Sequence, residues 1–175
     1  MTPSYSSLNL VFLGPPGSGA AVQAGRLADR YSIPCVTLSS LLSDERVAGS
    51  VAGREVAACC ADGRPVSDRV VGSIVLQRLD REDCARGFLL EGFPQTLEQA
   101  HLLDGWLAEL GRSIERVVMF RAAAARPEVE SYFRRVGPVV DLYRSRALLV
   151  SINAAQPEDH VFDEVLSVVG TPVAV

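Results

Sequence analysis

Leu8-Asn9-Leu10-Val11-Phe12-Leu13-Gly14-Pro15-Pro16-Gly17-Ser18-Gly19 runs from a mostly apolar stretch into a loop of glycine and proline. The apolar part has the length of a buried strand, and Gly14-Pro15-Pro16-Gly17 ends it in a tight turn. Beyond the loop, Ala24, Leu27, Ala28 and Tyr31 recur at helical spacing and stop at the Ile33-Pro34 break. A strand, a glycine loop and a helix in that order let backbone N–H groups point inward as an anion nest, with the positive end of the helix dipole behind it. Turn geometry alone also accounts for Gly14, Gly17 and Gly19. Both readings stand for these residues.

The same alternation continues outward. Residues 34–38 read as a second short strand, and 39–79 carry three helical stretches, broken at Gly49, at Gly63 with Pro65, and N-capped at Ser67. Gly87-Phe88-Leu89-Leu90-Glu91 is a buried strand with a carboxylate at its end. Residues 96–110 form an amphipathic helix with Leu103, Trp106, Leu107 and Leu110 on one stripe, and 117–120 a fourth strand. Residues 127–146 are helical with an interruption or kink at Gly137-Pro138. Residues 148–152 are a fifth strand, and Phe162, Val165, Leu166 and Val169 mark a final helix. The expected fold is one α/β domain over residues 1–175, a three-layer α/β/α sandwich around a five-stranded parallel sheet. Residues 39–72 form a helical subdomain within it.

Composition narrows the function. Hydrophobic residues make up 48% and charged residues 22% of the 175 residues, as in a globular domain. No apolar run approaches the ~20 residues that span a bilayer, so no membrane partner is expected. A net charge of −4 argues against nucleic acid. The segment before Leu8 has no secretory pattern, and the first basic residue is Arg26. Cys35, Cys59, Cys60 and Cys84 lack metal or redox spacing and read as reduced thiols, mostly buried, in the cytoplasm or another reducing compartment. All 17 basic residues are arginine. A phosphate loop of the G-x-x-x-x-G-K-[ST] type needs a lysine and then a hydroxyl, and here Ala20, Ala21 and Val22 follow Gly19.

With these segments in order, the chain resembles adenylate kinase and its nucleoside monophosphate kinase relatives, nearly from end to end. Residues 10–23 resemble the family's phosphate loop, and Leu27-Ala28-Asp29-Arg30-Tyr31-Ser32-Ile33-Pro34 its first helix entering the second strand. Arg64-Pro65-Val66-Ser67-Asp68 resembles the entry to the helix after the monophosphate pocket. Glu82-Asp83-Cys84-Ala85-Arg86-Gly87-Phe88-Leu89-Leu90-Glu91-Gly92-Phe93-Pro94-Gln95-Thr96 is close to its signature segment, and 138–152 with Val161-Phe162 resembles its C-terminal end. The resemblance implies a P-loop nucleoside-kinase-like fold.

Measured against that family, several positions depart. Ala20 stands where the family has the loop lysine, with Ala21 and Val22 after it. Leu38-Ser39-Ser40 replaces Thr-Gly-Asp in the monophosphate pocket, and Ser43 and Gln95 stand where arginines are expected. Residues 121–128 are too few for a lid, and Glu128 aligns with the arginine that begins the family's Arg-Leu-x-x-Tyr helix. Phosphoryl transfer depends on positioning and on cations at the developing charge. The expectation is therefore a catalytically inactive protein, not an enzyme, with a structural, assembly or regulatory role and a protein partner or larger assembly. The alternative is a divergent nucleoside monophosphate kinase, or a nucleotide-binding protein with weak ATP or AMP binding.

Candidate nucleotide or phosphate contacts are Gly14, Gly17, Ser18, Gly19, Glu91, Gly92 and Gln99; no catalytic or metal-binding residue is assigned. Gln99 matches the family's adenine-recognising glutamine, but Thr96-x-x-Gln99 is also a capping box. Glu91 alone is a weak site for Mg²⁺, so no cofactor is expected beyond weakly held ATP, ADP or phosphate. Arg121 and Arg126 read as remnants of base or phosphate contacts or as solvated surface charges.

Overall fold

The computed structural model describes residues 8–121 and 126–170. Five parallel strands lie in the order β2-β3-β1-β4-β5: β1 is Leu8–Leu13, β2 Cys35–Thr37, β3 Gly87–Glu91, β4 Arg116–Arg121 and β5 Leu149–Asn153. The central strand, β1, sets Leu10 opposite Leu89 on one side and opposite Arg116 on the other. Side chains alternate across a strand, so β1 feeds two cores. Leu10 and Phe12 join Leu89, Val118, Phe120 and Ile152 beneath α1 (Ala20–Tyr31) and α7 (Glu158–Val169). Val11 and Leu13 join Phe88, Leu90, Val117 and Met119 beneath α4 (Asp68–Leu79), α5 (Leu97–Glu109) and α6 (Pro127–Ser145). A sheet covered on both faces explains why its strands read as continuous apolar runs. The three-layer fold and five-stranded parallel sheet are as expected.

The helical span after β2 contains α2 (Leu38–Ala48), α3 (Val51–Ala61) and α4. Gly49 ends α2 with φ near +68°, and the Ser50 hydroxyl accepts a hydrogen bond from the Gly53 N–H at 2.8 Å to start α3. Ser67 does precede α4, but its side chain does not cap it; the hydroxyl turns to Glu55 Oε1 at 3.2 Å. Leu110 is the C-cap of α5 and half exposed, so the apolar stripe stops at Leu107.

Pro138 does not interrupt α6, which runs unbroken from Pro127 to Ser145. A proline inside a helix removes one hydrogen bond and costs ~3 kcal/mol or more. Val136, Val139 and Tyr143, all fully buried on either side of it, offset that cost by holding both halves against the sheet. The cysteines are less buried than expected: Cys59 and Cys84 are buried, Cys35 is half-buried and Cys60 is exposed, all as free thiols. No helix among the described residues is long and apolar enough to cross a membrane. The expected absence of a lid falls on residues 122–125, outside the described residues; β4 ends at Arg121 and α6 begins at Pro127.

Candidate active site

Open α/β sheets bind ligands at the carboxyl ends of their strands, where neighbouring connections leave in opposite directions. β1 is at that point, between β3 and β4, and its carboxyl end releases the glycine loop. Gly14 cannot be replaced without movement: a Cβ there would lie 2.3 Å from Ser18 Oγ and 3.1 Å from the Cβ atoms of Ala20 and Phe120. Ser18 is buried, its N–H donates to the Pro15 carbonyl at 3.0 Å, and its hydroxyl accepts from the Ala20 N–H at 3.4 Å. Ser18 thus holds the loop closed on itself. Gly17 and Gly19 take positive φ values of 81° and 77°, and Gly19 is the N-cap of α1 without any side-chain cap. Gln23 N–H returns to the Gly19 carbonyl at 3.1 Å, whereas the Ala21 and Val22 amides meet no protein acceptor among the described residues. Two unsatisfied donors therefore stand at the positive end of α1.

Those donors open onto a cleft of about 500 Å³, within the usual range for small-molecule sites. Its floor is Gly14 to Val22, one wall is Leu38, Ser39 and Leu42 from α2 with Gln95, and the other is Tyr132 and Arg135 from α6. Glu91 and Gly92 close it at the end of β3, where the Gly92 N–H donates to the Phe12 carbonyl at 3.1 Å. Burial raises the Glu91 carboxyl above its ordinary range. Tyr132 is buried; its hydroxyl, beside the Gly14 backbone, donates to no acceptor among the described residues and is pushed far up by desolvation.

Of the residues singled out from sequence, Gly14, Gly17, Ser18, Gly19, Glu91 and Gly92 line this cleft. Gln99 does not. It is buried in a network that joins two helix starts: its Nε2 donates to Asp68 Oδ1 at 2.7 Å and its Oε1 accepts from the Gln95 N–H at 2.8 Å. Thr96 Oγ1 accepts from the Gln99 N–H at 3.2 Å and donates to Asp68 Oδ2 at 2.7 Å. This is a capping arrangement, shifted by one residue at its return bond. Arg121 is exposed and lines a separate cavity with Asp141 and Arg144, and Arg126 is the exposed N-cap of α6. Sequence reasoning missed Arg135 and the cleft role of Tyr132. Their helical spacing from Glu128, which shares their face of α6, was the available signal.

The family model described as "Adenylate kinase" matches residues 12–148. An adenylate kinase of Methylorubrum populi is 33% identical over 90% of this chain and 94% of its own length. One of Stenotrophomonas maltophilia is 30% identical over 93% of this chain and 99% of its own. One of Archaeoglobus fulgidus reaches 41% identity over 63% of this chain and 51% of its own. These matches overturn the expectation of a catalytically inactive protein that is not an enzyme: the family and the relatives that cover the chain are kinases by name. Counting missing cations at single positions led to that error, because it treated each role as tied to one place in the sequence.

Proposed function

This chain belongs to the adenylate kinase family, and on that premise we propose that it is a divergent nucleoside monophosphate kinase. In the proposed reaction the bond between the β–γ bridging oxygen and the γ-phosphorus of a nucleoside triphosphate breaks. An oxygen of the acceptor phosphate bonds to that phosphorus, and two diphosphates result. The observation that carries the reading is the pair of free amides on Ala21 and Val22, facing a cleft bordered by the Arg135 guanidinium. Amides at a helix start and a guanidinium are both donors suited to phosphate oxygens.

The divergence lies in where the charge comes from. Ala20 occupies the position of the family's loop lysine, so the cation at the phosphates must come from elsewhere in the chain. Glu91 is the carboxylate that lines the cleft. One carboxylate with phosphate and water oxygens satisfies Mg²⁺, so the residues fit an ion that arrives with its nucleotide. Bound there, the ion would neutralise charge on the phosphates. Four free thiols support a reducing compartment.

A coupled assay of ADP formation from ATP and AMP tests the proposal. We expect turnover below the ~10 s⁻¹ median for enzymes, on the order of 0.01–0.1 s⁻¹, because a cation at the phosphates is worth several kcal/mol. Failure to form ADP above the uncatalysed background would overturn it.

A further inference from the structure

We propose that Arg135 is the phosphate-binding cation of this site, supplied across the cleft from α6 instead of from the loop, with the Tyr132 hydroxyl beside it as a second donor. The inference rests on the nucleotide-binding reading above and assigns the charge that the loop lacks.

Four observations carry it. Among the described residues lining the cleft, Arg135 is the only basic one. It makes no ion pair among the described residues; its guanidinium lies 6.0 Å from the centre of the Tyr132 ring. An arginine stacked over an aromatic ring is steadied while its N–H groups stay available. Tyr132 is 4% exposed, and its hydroxyl, beside the Gly14 backbone, donates to no acceptor among the described residues. A buried hydroxyl whose proton has no acceptor costs ~1–3 kcal/mol, a cost that a phosphate oxygen in the cleft removes. Lining the same cleft are Ala21 and Val22, whose amides meet no acceptor among the described residues.

The neighbouring groove sharpens the assignment. Glu128, Tyr132 and Arg135 share one face of α6, and Glu128 lines a groove that also reaches Pro16 and Arg135. Residues seven apart are two turns apart, about 10 Å along a helix. A phosphate chain extended into that groove would meet the Glu128 carboxylate. One bent over the glycine loop meets Arg135. The acid therefore confines the polyphosphate to the loop side.

Calorimetric titrations with ATP, inorganic pyrophosphate and adenosine test this on the wild-type chain and on R135A, R135K, R134A and Y132F. For R135A we expect at least tenfold weaker binding of ATP and pyrophosphate, a shallower salt dependence and unchanged adenosine binding. R135K should recover part of the loss, since a lysine keeps the charge without the bidentate fork. Y132F should lose about threefold, at the low end of the net worth of one hydrogen bond. R134A, whose exposed side chain does not line the cleft, should match wild type. ATP binding by R135A equal to that of wild type overturns the inference and leaves the kinase reading intact. Absence of ATP and pyrophosphate binding by the wild-type chain overturns both.

Discussion

On the loop side of the cleft, the Ala21 and Val22 amides and the Tyr132 hydroxyl have no acceptor among the described residues. On the opposite side, the polar groups at the starts of α4 and α5 already bond to one another through Asp68, Thr96, Gln95 and Gln99. The wall on that side is Leu38, Ser39, Leu42 and Gln95, with no cation among those four. In the proposed function one side is completed by an anionic ligand; the other completes itself within the protein. Triphosphate affinity should therefore depend on the loop side and fold stability on the other.

Gly14→Ala is the severest way to break the loop side. The new Cβ would lie 2.3 Å from Ser18 Oγ and 3.1 Å from the Cβ of fully buried Phe120. Ser18 must swing out, releasing the Ala20 amide it holds. We expect ~100-fold weaker ATP binding by titration and a stability loss of ~1–3 kcal/mol by urea unfolding. Ser18→Ala in the same chain should return part of the stability, because it removes the closest atom. An unchanged ATP affinity in the single variant would show that the loop does not hold the phosphates.

Gln99→Ala attacks the other side. It leaves the Gln95 N–H and an Asp68 oxygen without their partner, and unsatisfied buried groups cost ~1–3 kcal/mol. ATP affinity should stay within twofold of wild type. A tenfold fall in ATP affinity at full stability would instead restore Gln99 as a base-recognising residue.

The two sides were unequally legible in the sequence. Glycines at Gly14, Gly17 and Gly19 announce a loop because they act on their own backbone, and residues nearby in the chain form the nest. The sheet was legible for a related reason: strands covered on both faces, such as β3, are short unbroken apolar runs. Arg135 was not legible as a site residue. It lines the same cleft as the loop only because β4, which leads into α6, pairs with β1, more than a hundred residues along the chain. Likewise, the partner that occupies Gln99, Asp68, stands 31 residues before it, and a local pattern can show only the capping half of that network. Pro138 misled because tertiary burial of α6 outweighed a local rule.

The smallest effect distinguishes the two sides by pH. Glu91 lies between them at the end of β3, and burial is the cause that raises its carboxyl above the ordinary 4.5. A folded-state pKa raised above the unfolded value means that the folded chain binds the proton more tightly. This contribution to stability is fully present below the unfolded pKa and fades as pH rises through the higher folded value. Glu91→Gln removes the titration while keeping size and polarity. Urea midpoints measured from pH 4 to pH 8 should therefore fall more steeply with pH for wild type than for the variant, with the gap opening above about pH 4.5. Nucleotide with Mg²⁺ should narrow that gap, because a cation beside the carboxylate favours its charged form. If nucleotide with Mg²⁺ leaves the gap unchanged while stabilising both chains equally, Glu91 belongs to the self-completed side and takes no part in holding the ligand.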